Sequence, residues 1–194
     1  MNLYLRLLLA LGHGLTGERI DHRAALYRSF RVWPHDLDVF GHMNNGRYLQ
    51  IMDVARAEWM ARVGVVTSMW RHRWSAVLGG GVVRFRHSLG PFQRYHVRTR
   101  LLGWDERWWF LEHSFLDAVE RRVATGVSRA ALRAEHGWVD SATVIAAVDP
   151  EAAPLAAPEW VVDWLDVEQA MWAHGERAFP ATRRPPLALG ATGD

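Results

Sequence analysis

The chain has 194 residues, 49% hydrophobic and 23% charged, a composition that fits one globular domain and excludes an intrinsically disordered chain. It has no cysteine, which excludes thiol catalysis, disulfides and cysteine-ligated zinc. Its 23 basic residues are all arginine and are unevenly placed: residues 1–139 hold 20 Arg against 12 acids, net +8, and residues 140–194 hold 3 Arg against 9 acids, net −6. The basic part suits either a polyanionic partner or well-solvated faces.

In chain order, "MNLYLRLLLALGHGL" comes first, apolar but short and interrupted by Arg6. A spanning helix needs about 20 apolar residues. Residues 1–20 therefore read as a packed N-terminal helix or extension, with membrane-surface contact as the lesser alternative. No small-residue cleavage site marks a secretory leader. "AALYRSFRVW", from Ala24 to Trp33, is rich in strand formers and ends at Pro34. Turn-forming residues then fill Pro34 to Gly46. From Arg47 to Val63 the residues Tyr48, Ile51, Met52, Ala55, Trp59, Met60 and Val63 recur at helical spacing. Asn44 or Asn45 suits the N-cap, and Gly64 the C-terminal stop.

From there to about Val139 the sequence reads as β-structure. "WSAVLGGGVVRFRHSL" is a strand broken by Gly79, Gly80 and Gly81, which mark a bulge or a close approach of backbone to ligand. "YHVRTRLLGW" alternates, with Val97, Thr99 and Leu101 on one face. A tight turn at Asp105 to Arg107 returns the chain as "WWFLEHSFLD", and "RRVATGVSRAALRAEHG" is the last strand. A Pro/Ala-rich linker and a helix carrying Trp160, Trp164, Val167, Ala170, Met171 and Trp172 occupy residues 149–179. Residues 180–194 read as a disordered tail. A strand, a long helix and a run of antiparallel strands make an α+β chain whose sheet needs one face covered. The helix from Arg47 is its natural cover, so residues 21–148 are expected to form a hotdog fold.

The stretch "HDLDVFGHMNNGRYL", His35 to Leu49, carries a resemblance. Asp36, Asp38, Gly41, His42, Asn44, Asn45 and Tyr48 fall in the pattern Asp-x-Asp-x-x-Gly-His-x-Asn-Asn-x-x-Tyr. This resembles the signature of the 4-hydroxybenzoyl-CoA thioesterase-like acyl-CoA thioesterases. The segment "RFRHSLGPFQRYHVRTRLLGWDERWWFLEHSFL" and the Trp-rich C-terminal helix are similar to the branch called thioesterase superfamily member six. The resemblance implies hydrolysis of acyl-CoA thioesters in the cytoplasm, by a homodimer or homotetramer whose sites lie at shared interfaces. It implies that Asp38 acts as general base or as nucleophile.

The residues are chemically suited to that work. A helix start offers unpaired N–H groups and a partial positive charge. The amides of Asn44, Asn45 and Gly46 are thus candidate donors to an oxyanion, with Asn44 also the cap. His42 is either a catalytic partner or a loop-bonding residue, and Asp36 is read as structural. Tyr48 is core first and pocket wall second. Gly80 and Gly81 are candidates for close approach of substrate. Arg86, with Arg84 and Arg94, is a candidate contact to the nucleotide of CoA. His87 and His113 read as structural. No metal is expected, because no His, Asp or Glu cluster shows metal spacing, and no cofactor or nucleic-acid motif is present. A non-catalytic acyl-chain or acyl-CoA binder is the alternative to an enzyme.

Overall fold

The computed structural model describes residues 3–178, with side chains through residue 174. The tail read as disordered, 180–194, lies outside the described residues. The described residues fall into two compact units that divide after Ala157. The first contains α1 (Leu3–Thr16), β1 (Leu26–Arg31), one turn of 3₁₀ helix (Pro34–Asp36), α2 (Asn45–Val63), α3 (Val65–His72), β2 (Ser75–Phe85), β3 (Arg94–Trp104), β4 (Trp109–Asp117), β5 (Arg122–Ala134), β6 (Gly137–Val139) and α4 (Ser141–Ala146). The second contains α5 (Glu159–Ala178), where the Trp-rich helix is expected. No described helix is long and apolar enough to cross a membrane.

α2 has the ends that its sequence predicts. The Asn44 side chain accepts the Gly46 N–H at 2.8 Å, and Gly64 takes a left-handed φ of 98° that stops the helix. The apolar stripe of α2 faces the sheet. Near its start Tyr48, Ile51 and Met52 pack with Val97, Phe115 and Ala124. Near its end Trp59 and Met60 pack with Leu101, Trp109 and Leu111. Burying each large side chain contributes about 1.5–3 kcal/mol.

The sheet is antiparallel throughout, in the order β1-β3-β4-β5-β2, with β6 on the end of β5. β3 alternates as the sequence predicts. Val97, Thr99 and Leu101 are buried, while Arg98 and Arg100 each reach Glu112 of β4 at 2.9 Å. Burial pushes the Glu112 carboxyl upward, but hydrogen bonds from Arg100, Ser114 and Arg98 outweigh it and hold the group at about 2.

Three elements differ from the sequence reading. Val65–His72 is the helix α3 rather than the start of the β-region. Its valines favour strand locally, but Val65, Val66 and Met69 share one helical face that joins the core. A short strand, β6, follows the strand read as last, and α4 occupies part of what followed it. Asp140 caps α4 by accepting the N–H groups of Ala142 and Thr143 at 2.8 and 3.3 Å.

α1 is packed, as expected, but by an unexpected face. Arg6, Ala10 and Gly14 are buried, while Leu5, Leu8 and Leu9 are exposed. A Cβ on Gly14 would stand 2.5 Å from the Ala61 Cβ and 3.0 Å from the Glu58 carbonyl oxygen, so α1 and α2 approach closely there.

Candidate active site

The loop between β1 and α2 is anchored at its root by Asp36. That carboxylate is fully buried, paired with Arg6 from α1 and with Arg47 Nε at 3.1 Å, and it accepts the Trp33 N–H at 2.9 Å. The structural reading of Asp36 therefore holds, through an ion cluster that ties three separate segments together. Arg6, conspicuous in a run of leucines, was the sequence signal for it.

Beyond the root the loop closes on itself. Leu37 and Met43 form a β-bridge, and the Asp38 N–H donates to the His42 carbonyl at 2.8 Å. Gly41 takes the left-handed φ of 75° needed to turn the tip. Asp38 is half-buried. Its Oδ1 accepts the N–H groups of Phe40 at 2.9 Å and His42 at 3.3 Å. Its Oδ2 takes no hydrogen bond, and the group has no ion-pair partner among the described residues. One oxygen thus fixes the carboxylate and the other takes no hydrogen bond among the described residues. His42 is exposed and bonds through its main chain, with no hydrogen bond from its ring to Asp38.

The helix start is only partly open. The Asn44 N–H donates to the Asp36 carbonyl at 2.8 Å, the Gly46 N–H to Asn44 Oδ1 at 2.8 Å, and the Arg47 N–H to the Asn44 carbonyl at 2.9 Å. The Asn45 N–H alone of these four donates to no described residue. Of the amides expected to hold an oxyanion, Asn44 and Gly46 are therefore engaged by the fold, and Asn45 remains.

Tyr48 is core. Its ring meets Phe85 at 5.1 Å and Phe115 at 5.0 Å between centroids. Burial pushes its phenol up to about 12, against a smaller downward pull from a hydrogen bond to the Leu89 backbone. Phe85 ends β2, so Arg86, exposed just beyond it, lies toward the same end of α2 as Asp38. Gly80 and Gly81 lie elsewhere. They pair with Arg129 and Ser128 of β5, level with Arg56, whose side chain reaches Ser128 Oγ at 3.3 Å. Arg56 sits roughly 16 Å further along α2 than Asn45. The chain therefore does not bring Gly80 and Gly81 to Asp38. The bulge expected at the triple glycine is present between Leu78 and Gly80. Gly79 is required there because a Cβ would meet the Trp108 ring at 2.4 Å, under an Arg129 guanidinium 4.9 Å from that ring.

The sequence did not reveal how His113 is held. It is fully buried, with Nδ1 3.1 Å from Thr99 Oγ1 and Nε2 3.2 Å from Ser128 Oγ. Burial, then the nearby Arg56 charge, pushes it down to about 3, so it stays neutral and serves as a structural crosslink. Far from the loop, Asp21, His22 and Asp149 converge closely enough to hold a cation. Sequence spacing could not show that grouping, because Asp149 is distant in the chain.

Protein THEM6 of Xenopus laevis is 41% identical over 85 residues, covering 44% of this chain and 41% of that protein. Protein THEM6 of Drosophila melanogaster is 38% identical over 93 residues, covering 46% and 48%. A probable thioesterase of Saccharomyces cerevisiae is 25% identical over 101 residues, covering 50% and 44%. The matches thus span less than half the length of each of these relatives. Among solved structures, a gentisyl-coenzyme A thioesterase aligns with a TM-score of 0.54 at 20% identity, covering 62% of this chain and 98% of its own. A 1,4-dihydroxy-2-naphthoyl-CoA thioesterase from Synechocystis aligns with a TM-score of 0.57 at 13% identity, covering 67% and 100%. The expected hotdog fold is the one these structures share with the chain. The sequence profile of the thioesterase-like superfamily matches residues 32–165. The chain belongs to the thioesterase-like superfamily.

Proposed function

We propose that the protein hydrolyses acyl thioesters, with acyl-CoA as the substrate class. One observation carries the reading: Asp38 has one oxygen anchored and one free, in a loop that leads directly into the unpaired Asn45 N–H. The free oxygen can take a proton from water as the water attacks the thioester carbon. The carbonyl electron pair then moves onto oxygen, where the Asn45 N–H and the positive end of α2 hold it. Collapse expels the thiolate, which recovers the proton from Asp38. Alternatively, the same oxygen attacks the carbon directly and expels the thiolate, and water then cleaves the resulting anhydride, giving one proton to the thiolate and regenerating the carboxylate. Removing one donor of such a hole costs on the order of 10²–10³ in rate. His42 lies beside this arrangement without a hydrogen bond that would make it a relay.

A homodimer, or a homotetramer built from it, is part of the proposal. Its support is β2, an 11-residue strand at the sheet edge that leaves Leu78 and Val82 exposed. A long apolar edge of this kind invites pairing. Joining two such edges would place Gly80 and Gly81 on the shared seam, where an acyl chain could approach their backbone. Arg86 would remain free for the phosphates of CoA. Light scattering tests the assembly, and a stable, active monomer contradicts it.

The test of activity is thiol release from a panel of acyl-CoAs by the native protein and by Asp38→Asn. Turnover abolished by the substitution supports the enzyme. Tight acyl-CoA binding without turnover on any thioester supports a non-catalytic binder instead.

A further inference from the structure

We propose that Asp21, His22 and Asp149 form a divalent transition-metal site, best matched to Zn²⁺, that clasps the segment before β1 to the segment after α4. The grouping rests first on His22. Its side chain is 3% exposed, and both ring nitrogens are buried without a hydrogen bond. A buried polar atom of this kind is rare and calls for a ligand. What faces Nδ1 is a pair of carboxylates, Asp149 Oδ2 at 3.2 Å and Asp21 Oδ1 at 3.5 Å. Neither contact aligns as a hydrogen bond, and one donor atom from each of the three residues lies within 4.8 Å of the others.

The spacing fits a shared ion. Nitrogen and oxygen ligands bind Zn²⁺ at about 2.0–2.2 Å, so two of them in a tetrahedron stand roughly 3.3–3.6 Å apart. Of the separations around Nδ1, 3.5 Å falls within that range and 3.2 Å just below it. The donor set, one imidazole with two carboxylates, suits Zn²⁺ or a neighbouring first-row ion better than Mg²⁺ or Ca²⁺, which prefer all-oxygen shells. Both carboxylates are fixed by backbone amides, Asp149 through the oxygen that faces away from Nδ1 and Asp21 through the same oxygen that faces it. Asp21 Oδ1 accepts the Arg23 N–H at 2.6 Å, and Asp149 Oδ1 accepts the Glu151 N–H at 3.2 Å. The Trp104 ring, 6.1 Å away and tilted at 66°, packs beside the imidazole. Asp21 is the exposed member, so water would complete the coordination on its side.

Position separates this ion from the thioester chemistry. β3 starts at Arg94, paired with Arg31 at the root of the Asp38 loop, and ends at Trp104 beside His22. That strand spans roughly 30 Å. The site is therefore a structural clasp. It joins two segments that Arg23 already bridges, its guanidinium donating to the Ala153 carbonyl at 2.9 Å.

The test uses the full chain, stripped with a chelator and desalted, then titrated with Zn²⁺ by calorimetry and melted with and without the ion. The native protein should bind one Zn²⁺ per chain and melt higher with it, while equal Mg²⁺ leaves the melt unchanged. Asp149→Asn, an isosteric change at a partly exposed position, should keep the fold and weaken Zn²⁺ binding at least tenfold. His22→Gln should abolish binding. If that variant fails to fold, Asp149→Asn decides alone. A native chain that takes up no Zn²⁺, or an Asp149→Asn chain that binds it as the native does, overturns the proposal.

Discussion

Asp36 and Asp38 are two residues apart in one loop, yet Asp36 is sealed between Arg6 and Arg47 while Asp38 keeps a carboxylate oxygen free. The side chains are chemically identical, and their surroundings assign them different work. A carboxylate that is fully buried with its charge neutralised by two arginines holds structure. One that is fixed by a single oxygen, near an unpaired amide, is available for reaction. The same contrast separates His113, bonded at both nitrogens in the core, from His42, whose ring is exposed.

The largest effect that sharpens this contrast falls on Asp36. Asp36→Asn leaves the Arg6 and Arg47 charges without their counter-ion, one of them fully buried, and should lower stability by about 3–5 kcal/mol. Chemical denaturation measures it, and a loss below 1 kcal/mol would show that the cluster is not what anchors the loop.

His113 comes next. Its folded-state value of about 3 lies below its ordinary 6.5, so the unfolded chain takes up the proton first. Stability should be fully present above pH 6.5 and fall as pH drops from there toward 3. Glu112, held at about 2, adds a second loss only below its ordinary value of 4.5. His113→Gln should therefore cost about 1–3 kcal/mol at neutral pH and flatten the melting profile between pH 6.5 and 4.5. An unchanged slope there would break the assignment.

Asn44→Ala removes the helix cap and should cost about 1 kcal/mol. It also releases the Gly46 N–H, so a second free amide joins Asn45. The smallest effect is expected at the tip, where Val39 and Phe40 are the most exposed apolar pair. Phe40→Ser should change stability by less than about 0.5 kcal/mol. A drop of several degrees in melting temperature would show that a second copy covers the tip.

How much of this was legible in the sequence depended on how local its cause was. The ends of α2 were readable because a cap needs only Asn44 and Gly46, and a stop needs only Gly64. The alternation of β3 was readable because one face is buried and the other solvated. α1 was legible as a helix but not in its orientation. It packs through Ala10 and Gly14, whose small size permits close approach, so Leu5, Leu8 and Leu9 point away. α3 was missed because its valines favour strand and the deciding contacts are tertiary. In the candidate site, the loop motif points to Asp38 and the helix start as a proposal, but not to which amide is free. That depends on the Asp36 carbonyl taking the Asn44 N–H. The separation of Gly80 and Gly81 from Asp38 likewise follows from strand register, which no local pattern records.

Asp38 is proposed to perform chemistry without holding the fold. The most direct measurement compares native protein with Asp38→Asn in two assays on one preparation, thiol release from acyl-CoA and equilibrium unfolding. Asp38→Asn should lower kcat/KM by about 10²–10⁴ with stability changed by no more than about 1 kcal/mol. Turnover retained within a factor of a few, or activity lost only in step with unfolding, would contradict it.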